Sequence, residues 1–461
     1  MPINCYEYSS IKNKNLPLSW QSAEALDELE DFLQQNWEQR SVFYEDGEVL
    51  SKQQFLKFLS HGVIKPSNYI GTIIFRNEQL NIYPKMFRVD KDDHDTEDLN
   101  QDHLMKNLIN WLEYCNKVDY PFINVSMDVT DVNNLKDLFI ALFVGYVQTA
   151  VNRGLYFQYV EDTSDIRTIK GKFDLKDYVT YKIPYKQIDQ FKCTYSNFEF
   201  DNKVNQIIKY TCKYLINIAS GKYQKLLRNI LIRLDKVSDM YCMPSDCDKI
   251  RLSKMHKNYR IILSMCKMFL LNKTSDYSIG SQESFCFLFP AEVLFEGFIG
   301  GFMQEVVEGY TGKVKLQQSE MSLVDDIEYR EESLGAAFRM RHDILVEVKD
   351  KIFILDTKYK EISRFADNPD KVKQVVSEEI HQGDLYQVCE YARKRGLTDV
   401  FLLYPMYRYE EVEKDFPTAV SRSGCDSINI HIVRLPFIFE DDVDLVKKQL
   451  SDVIKQILSL E

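Results

Sequence analysis

Two acidic residues and one lysine are spaced so that they could hold a metal ion and hydrolyse a phosphodiester. Asp356 and Lys358 lie two residues apart in the run FILDTKY, and Asp343 precedes them. Because side chains alternate along a strand, Asp356 and Lys358 should project from the same face. Carboxylate oxygens are ligands that Mg²⁺ prefers, and the metal would polarise the phosphate. The pattern therefore predicts metal-assisted hydrolysis, with Asp343 and Asp356 as metal ligands.

A β-hairpin is the element that must bring these residues together. Two short apolar runs, Ile344 to Val348 and Ile352 to Tyr359, are separated by the polar triplet KDK, which is typical of a hairpin. The D-x-K pattern alone is weak in a chain with 70 acidic residues, since such a charge is more often a solvated edge position. Asp356, however, interrupts an otherwise apolar run, where a charge is costly unless it is paired or binds a metal.

A predicted amphipathic helix follows the hairpin from His381 to Arg393. It would carry Gln387 and Tyr391 at i and i+4 on one face. Further apolar runs, Asp399 to Tyr404 and Ile428 to Val433, favour additional strands. The hairpin and this helix are the two elements on which the chemical interpretation depends.

The order of these features resembles the PD-(D/E)XK nuclease superfamily, in which an acidic residue, a hairpin with D-x-K and a helix with Q-x-x-x-Y follow one another. The segments DTKYK, GDLYQVCEYA and FLLYP resemble McrC, the nuclease subunit of McrBC-type restriction systems. Further markers are an I-x-P-K motif ending at Lys85, the segment RTIKGKFDL and a helix carrying Asn205. His342 stands where the pattern usually has Pro, and Asp356 fills the (D/E) position. Neither departure removes a metal ligand.

The resemblance implies a Mg²⁺-dependent DNA endonuclease. In that interpretation Asp343 and Asp356 hold Mg²⁺, Lys358 positions the attacking water, and Gln387 orients the site or touches the DNA backbone. Tyr391 is expected to pack under its helix.

Glu296 is a candidate third metal ligand. It lies on a helix predicted from Pro290 to Tyr310, before the hairpin, where the superfamily sometimes has a further acidic ligand. The alternative, an ordinary exposed helical Glu, remains open.

A motor partner is implied by the same resemblance. The chain has no phosphate-binding loop, because the run from Gly309 to Lys313 has the wrong spacing, so it should not hydrolyse nucleotides itself. McrC proteins work with McrB, a GTP-hydrolysing AAA+ ring that recognises modified DNA. We therefore expect double-stranded, methylated DNA as substrate, GTP only through the partner, and docking through the segment before residue 280.

Two alternatives to this function stay open at the level of the sequence. One is an adaptor that activates the motor GTPase without cutting, although the complete Asp, Asp and Lys set argues against it. The other is a free-standing DNA or RNA repair nuclease of the same superfamily. In that case the large part of the chain outside the nuclease would need another purpose.

Composition is that of a soluble cytoplasmic protein. The chain has 461 residues, 45% hydrophobic and 28% charged, without a secretory signal or a run long enough to span a membrane. Its ten cysteines are scattered, and even the closest pair, Cys242 and Cys247, is better interpreted as reduced thiols than as a metal site. The net charge of −12 argues against gripping nucleic acid along the whole surface.

The predicted fold class is multidomain α+β or α/β in three consecutive segments. Residues 1–130 would form an N-terminal α+β domain with a strand pair at 70–84, which docks the partner. Residues 131–280 would be mainly helical, with basic helices at 222–273 that either contact phosphates or are only solvated. Residues 281–461 would form the PD-(D/E)XK domain, a central mixed sheet flanked by helices, after a polar linker from Asn272 to Ser284.

Overall fold

The structure is a computed structural model that describes most of the chain. The described residues are 2–39, 54–90, 99, 101–115, 135–154, 156–219, 221–252, 259, 262–263, 265–270, 285–329, 332–365, 368–423, 426–440 and 442–460. The predicted linker from Asn272 to Ser284 lies outside them. No helix within the described ranges is long and apolar enough to cross a membrane.

The chain forms two compact units. The first unit combines Met1–Asn124 with Ser278–Glu461, and the second unit is Val125–Tyr277. The ends of the second unit lie close to the expected boundaries at 130 and 280, but the first and third segments share one unit. The reason is strand pairing, because Phe285–Pro290 pairs antiparallel with Tyr69–Phe75 of the N-terminal part. The start of the expected nuclease segment therefore belongs to the N-terminal sheet.

The N-terminal part of the first unit is built on a four-stranded sheet with the order β1-β5-β4-β9, in which β9 is Phe285–Pro290. Strands β1 and β5 are parallel, and the other neighbours are antiparallel. The predicted pair at 70–84 is confirmed as β4 and β5, joined by a turn in which Arg76 and Asn77 have φ of 50° and 62°. The elements are β1 (Ile3–Tyr6), α1 (Ala23–Gln39), β2 (Leu56–Leu59), β3 (Val63–Pro66), β4 (Tyr69–Phe75), β5 (Glu78–Tyr83) and α2 (Gln101–Tyr114).

The second unit contains more strand than the sequence predicted. Its elements are α3 (Leu135–Arg153), β6 (Gln158–Ile166), β7 (Lys172–Phe173), α4 (Leu175–Asp177), β8 (Phe191–Glu199), α5 (Lys203–Ile216), α6 (Gly221–Arg233) and α7 (Pro244–Asp248). Strands β6, β8 and β7 form a three-stranded sheet. The long strand β6 was missed because it is polar on both sides, so it lacks the alternation that marks a half-buried strand.

The marker Asn205 and its neighbour Asn202 have structural roles in the second unit. Asn205 is fully buried and donates through Nδ2 to the carbonyls of Tyr156 and Phe200, both at 2.8 Å. Asn202 caps the start of α5 by accepting a hydrogen bond from the Asn205 amide at 3.1 Å. On α6 the predicted basic face is present, with Lys222, Lys225 and Arg228 all exposed. The second predicted basic set, at 254, 257 and 260, lies outside the described residues.

The C-terminal part of the first unit is built on a six-stranded mixed sheet with the order β10-β13-β14-β15-β17-β16. Strands β14, β15 and β17 run parallel to one another, and the remaining neighbours are antiparallel. The elements are β9 (Phe285–Pro290), α8 (Ala291–Glu308), β10 (Lys313–Val324), β11 (Glu328–Tyr329), β12 (Glu332–Ser333), β13 (Ala337–Val348), β14 (Lys351–Thr357), α9 (Pro369–Glu378), α10 (Gln382–Arg395), β15 (Asp399–Pro405), β16 (Thr418–Ser423), β17 (Asp426–Leu435) and α11 (Val443–Ile457).

Helices pack on this sheet and make the fold α+β, as predicted. Ile354 and Leu402 on the sheet form one buried cluster with Val388 and Ala392 of α10. Helix α8 contacts β10, β13 and α2. It can approach α2 closely only because Gly301 has no side chain, since a Cβ there would lie 1.6 Å from the carbonyl oxygen of Tyr114. The helix that precedes the hairpin is thereby fixed against both the sheet and the N-terminal part.

Candidate functional site

The predicted hairpin is confirmed and has a tighter turn than expected. Strands β13 and β14 pair up to Val348 and Lys351, so the turn has only two central residues. These are Lys349 and Asp350, with φ of 48° and 60°, as a two-residue hairpin turn requires. Strand β13 begins at Ala337, seven residues before the predicted start. The hairpin is therefore long and its register is fixed at the turn.

This register places Asp343 and Asp356 side by side. Ile344 pairs with Leu355, and the two acidic residues are the next position along each strand. Asp343 Oδ2 accepts hydrogen bonds from the amide and from the hydroxyl of Thr357, both at 2.9 Å. These two bonds hold the Asp343 carboxylate at the end of β14.

Asp356 is a buried carboxylate that lies next to a second one, that of Asp343. It is 0% exposed, and its Oδ1 has no hydrogen-bond partner among the described residues. Burial, followed by the charge of Asp343, raises the pKa of Asp356 to about 7 although Lys358 opposes both. A buried oxygen without a partner beside a second carboxylate suits a cation, because a cation would compensate both charges.

Lys358 lies on the same face as Asp356, as the alternation predicted. Its ammonium forms an ion pair with Asp356 Oδ2 and donates to Gln387 Oε1 at 3.3 Å. Burial alone would lower the pKa of Lys358, but the negative charges of Asp356 and Asp343 raise it above its ordinary value. The lysine therefore stays protonated and acts as a hydrogen-bond donor at this position.

Helix α10 brings Gln387 and Tyr391 to the site. The Gln387 side chain donates through Nε2 to the Tyr391 hydroxyl at 2.6 Å, and that hydroxyl donates to the carbonyl of Arg341 at 2.8 Å. Tyr391 is buried under the helix, as predicted, and its ring centroid is 4.4 Å from that of the buried His342. The chain of contacts thus runs from Lys358 to the backbone just before Asp343.

Asp384 and Lys360 also lie at this end of the sheet and were not selected from the sequence. The Lys360 ammonium donates to Asp384 Oδ2 at 2.6 Å, and Asp384 is buried in the first turn of α10. Its charge contributes to the raised pKa of Asp356. The signal was available, because Asp384 stands three residues before Gln387 and so shares its helix face.

Tyr404 is a further group that sequence reasoning missed. Its side chain is fully buried, and its hydroxyl has no hydrogen-bond partner within the part of the chain that the structure describes. Burial raises the pKa of Tyr404, and the charges of Asp384 and Asp356 raise it further. No pattern in the apolar run FLLYP distinguishes this tyrosine from a core residue.

Glu296 is placed on α8 and accepts a hydrogen bond from the side chain of Gln317. Gln317 lies between Leu316, which pairs with Ile344, and Gln318, which pairs with His342, so it is Asp343's neighbour on β10. Among the described residues, no group of three His, Cys, Asp or Glu side chains is placed to hold a metal. Glu296 is thus not gathered into one cluster with the two aspartates, and its role as a third ligand stays a prediction.

Comparison with known proteins identifies the family. The family model described as McrBC 5-methylcytosine restriction system component matches residues 64–405. The chain belongs to this McrBC family. The matched range includes the I-x-P-K motif, the hairpin and helix α10, so the family predicted from the sequence is confirmed.

Two McrBC relatives extend this result. The type IV methyl-directed restriction enzyme EcoKMcrBC of Escherichia coli (strain K12) is 26% identical over 271 residues, which are 56% of this chain and 72% of that protein. A chain of a refined half-complex, from a tetradecameric assembly of Thermococcus gammatolerans McrB AAA+ hexamers with bound McrC, aligns with a TM-score of 0.61. That alignment covers 99% of this chain and 100% of the other at 16% identity, and shows a shared fold.

Proposed function

We propose that this McrBC-family chain is the nuclease subunit of a modification-dependent restriction system and hydrolyses phosphodiester bonds of double-stranded DNA. The proposal depends on the arrangement of side chains at the open end of the hairpin. There Asp343 and Asp356 adjoin, and Lys358 is held between Asp356 and Gln387. Two carboxylates and a lysine in this order, on a mixed sheet between α8 and α10, are the arrangement expected of a PD-(D/E)XK nuclease domain.

The residues fit a divalent cation such as Mg²⁺. Asp343 and Asp356 would hold it, and the buried, unpartnered Oδ1 of Asp356 supplies an oxygen that no protein donor occupies among the described residues. When bound, Mg²⁺ supplies positive charge that polarises the phosphate and favours an activated water.

The chain's own groups provide the remaining functions. Thr357 orients Asp343 through two hydrogen bonds. Gln387 accepts from the Lys358 ammonium and so fixes the direction of the donor that positions the attacking water. Because this ammonium is half-buried and close to Asp356, it acts in a setting of low dielectric, where a hydrogen bond to the water is strong.

A nucleotide-hydrolysing AAA+ partner is the second part of the proposal. The structural relative is one chain of a complex of McrB AAA+ hexamers with bound McrC, and the two chains share a fold. The second unit exposes large apolar side chains along residues 169–188, a kind of patch that marks an interaction surface. These are Ile169, Leu175, Val179, Tyr181, Ile183, Tyr185 and Ile188. We infer that the segment before residue 280 docks on the motor and that the second unit contributes this patch to the docking surface. We also infer that GTP acts only through that partner and that the complex works on methylated DNA in the cytoplasm.

Cleavage of methylated plasmid DNA by this chain, with an McrB-type partner, GTP and Mg²⁺, tests the proposal. We expect Asp356→Ala and Lys358→Ala each to reduce cleavage by about 10²-fold or more, as when one charge-stabilising or proton-transferring group is lost. GTP hydrolysis by the assembled complex should persist in both variants. Asp350→Asn is the matched control, because Asp350 lies on the same hairpin at the exposed turn, away from the site.

Each outcome of this experiment supports a different one of the three candidate functions. Loss of cleavage with persistent GTP hydrolysis supports a nuclease site at the hairpin. A wild-type chain that stimulates the GTPase but never cuts DNA would instead establish the adaptor function. Efficient cutting by the chain alone, without nucleotide or partner, would establish a free-standing nuclease.

A further inference from the structure

A buried contact joins the N-terminal I-x-P-K motif to the residue that follows Lys358. Lys85 is the last residue of that motif, and its ammonium donates to the backbone carbonyl of Tyr359 at 3.2 Å. The Tyr359 hydroxyl donates in turn to Glu7 Oε1 at 2.6 Å. All three residues belong to the first unit, although more than 270 positions separate Lys85 from Tyr359.

Strand pairing explains why Glu7 and Lys85 meet. Strands β1 and β5 are parallel, with Tyr6 opposite Tyr83, so the chain leaves both strands on the same edge of the sheet. The Glu7 amide donates to the Tyr83 carbonyl at 2.9 Å. The Lys85 amide then donates to Glu7 Oε1 at 3.0 Å. Pro84 lies between Tyr83 and Lys85, and its ring restricts the backbone dihedral angle φ just before Lys85.

Tyr359 is held at two points by this pair. Its carbonyl accepts from the Lys85 ammonium, which also lies 4.8 Å from the centre of the Tyr359 ring. Its hydroxyl is fixed by Glu7, and its ring lies within 6.0 Å of the rings of Phe295 and Phe437. A residue held at its backbone, its ring and its hydroxyl has one position, so the peptide that joins it to Lys358 is fixed as well.

The contact buries two ionisable groups, which costs free energy that their mutual attraction and hydrogen bonds only partly offset. Glu7 is 0% exposed and Lys85 is 8% exposed. Burial raises the pKa of Glu7 to about 7, and the positive charge of Lys85 and the Tyr359 hydrogen bond partly oppose this. Buried charged groups of this kind are weak evidence for stability, and fixing the position of a neighbour is a role that their directional contacts can fill.

Alternation connects this contact to the site. Lys358 and Tyr359 are neighbours, so their side chains point to opposite sides: Lys358 toward Asp356 and Gln387, and Tyr359 toward Glu7. The Lys358 amide continues the sheet by donating to the Leu403 carbonyl at 2.8 Å. Strand β14 itself ends at Thr357, and the next residue held by hydrogen bonds to another part of the unit is Tyr359.

We propose that Glu7 and Lys85 are positioning residues that hold the end of β14 through Tyr359, so that the Lys358 ammonium stays in its working position. This inference rests on the proposed function of Lys358. It gives the I-x-P-K motif a physical role in the first unit, as the anchor of the strand end that carries the proposed catalytic lysine.

The test compares Lys85→Met, Glu7→Leu and Glu7→Gln in the complete complex. We expect Lys85→Met and Glu7→Leu to lower kcat for DNA cleavage by about 10- to 100-fold with little change in KM, as a displacement near 1 Å of a catalytic group can do. Glu7→Gln keeps the accepting oxygen and should stay close to wild type. Tyr359→Phe, which removes only the hydroxyl, is a gentler variant should the others unfold.

Hydrogen exchange of this chain provides a readout that does not depend on cleavage. The amides of Lys358 to Lys360 should exchange faster in Lys85→Met and Glu7→Leu, with the rest of the chain unchanged. The matched control is Lys209→Met, since Lys209 is equally buried at 8% exposure and its ammonium also donates to a backbone carbonyl, that of Val237 at 2.5 Å. That variant should leave exchange at 358–360 unaltered.

The possible results divide clearly. Wild-type exchange at 358–360, or wild-type kcat, in both Lys85→Met and Glu7→Leu overturns the inference. A drop in kcat that Glu7→Gln shares fully also overturns it, because the accepting oxygen is then not what matters. If the wild-type complex cuts no DNA, the proposed function fails, and the exchange data alone decide whether Glu7 and Lys85 hold the strand end.

Discussion

Asp356 and Glu7 are buried carboxylates on opposite sides of the end of β14, and their surroundings differ in one decisive respect. Burial raises the pKa of each to about 7, and each keeps one oxygen without a hydrogen-bond partner among the described residues. Asp356 has a second carboxylate and a lysine ammonium beside it. Glu7 also feels the Lys85 ammonium and, more weakly, the Glu361 carboxylate, but its Oε1 accepts from the Tyr359 hydroxyl and the Lys85 backbone amide.

The comparison shows that a raised pKa does not by itself mark an active site. At Glu7 burial is the largest cause of the raised pKa and the charge of Glu361 adds a smaller one, while the donors to Glu7 are those of a structural contact. What distinguishes Asp356 is the neighbouring Asp343, because two adjoining carboxylates favour a bound cation. The chemistry therefore depends on the second carboxylate, and the two sides of the strand should respond differently to neutralising substitutions.

Asp343→Asn should have the largest effect. It removes the charge that distinguishes the Asp356 side, and we expect cleavage to fall by at least about 10²-fold, as when a group that stabilises transition-state charge is lost. The Asn oxygen can still accept from Thr357, so the fold should be retained. Single-turnover cleavage by the complete complex measures the change, with Glu7→Gln as the neutralisation on the opposite side. Equal cleavage by Asp343→Asn and wild type would show that the second carboxylate does not set Asp356 apart from Glu7.

Glu7→Gln should change the pH dependence of stability. The pKa of Glu7 is raised from 4.5 to about 7, so the folded state binds the proton more tightly than the unfolded state. The contribution of this tighter proton binding to the free energy of unfolding is fully present below pH 4.5, and it is lost as pH rises through about 7. At about 1.4 kcal/mol per pKa unit, the wild type should lose up to about 3 kcal/mol relative to the variant.

Denaturant unfolding of both proteins at pH 5 and pH 8 measures this difference. Because every other titrating group is shared, the comparison between wild type and Glu7→Gln isolates Glu7. We expect the variant to gain stability relative to wild type at the higher pH. A constant difference between the two proteins across this pH range would mean that Glu7 does not titrate as its burial implies.

The sequence predicted the local part of the candidate site correctly. The alternation that placed Asp356 with Lys358, and Tyr359 on the other face, needs only the period of a strand. The pairing of Gln387 with Tyr391 needs only the period of a helix. Each of these arrangements is decided within a few residues, so a single sequence is enough to predict it.

The long-range part could not be predicted in the same way. Nothing in the N-terminal sequence indicates that Glu7 would meet Tyr359, because that contact depends on the parallel pairing of β1 with β5 and on how two sheets of one unit pack. The same holds for β9, which joins a strand from which it is separated by the whole second unit. Such contacts follow from topology, which local periodicity does not specify.

Tyr391→Phe should have the smallest effect, and it tests how far the Asp356 side depends on hydrogen bonds beyond the carboxylates. The hydroxyl connects Gln387 to the Arg341 carbonyl, while the ring stays packed on His342. Losing these bonds should destabilise the chain by about 1 kcal/mol and reduce cleavage less than Asp343→Asn does. Tyr386→Phe is the matched control on the same helix, because that ring is 63% exposed and its hydroxyl accepts only from Gln382 among the described residues. The control should stay within about 0.5 kcal/mol of wild type in unfolding free energy. If both variants behave alike, the Gln387 and Tyr391 contacts do not support the site.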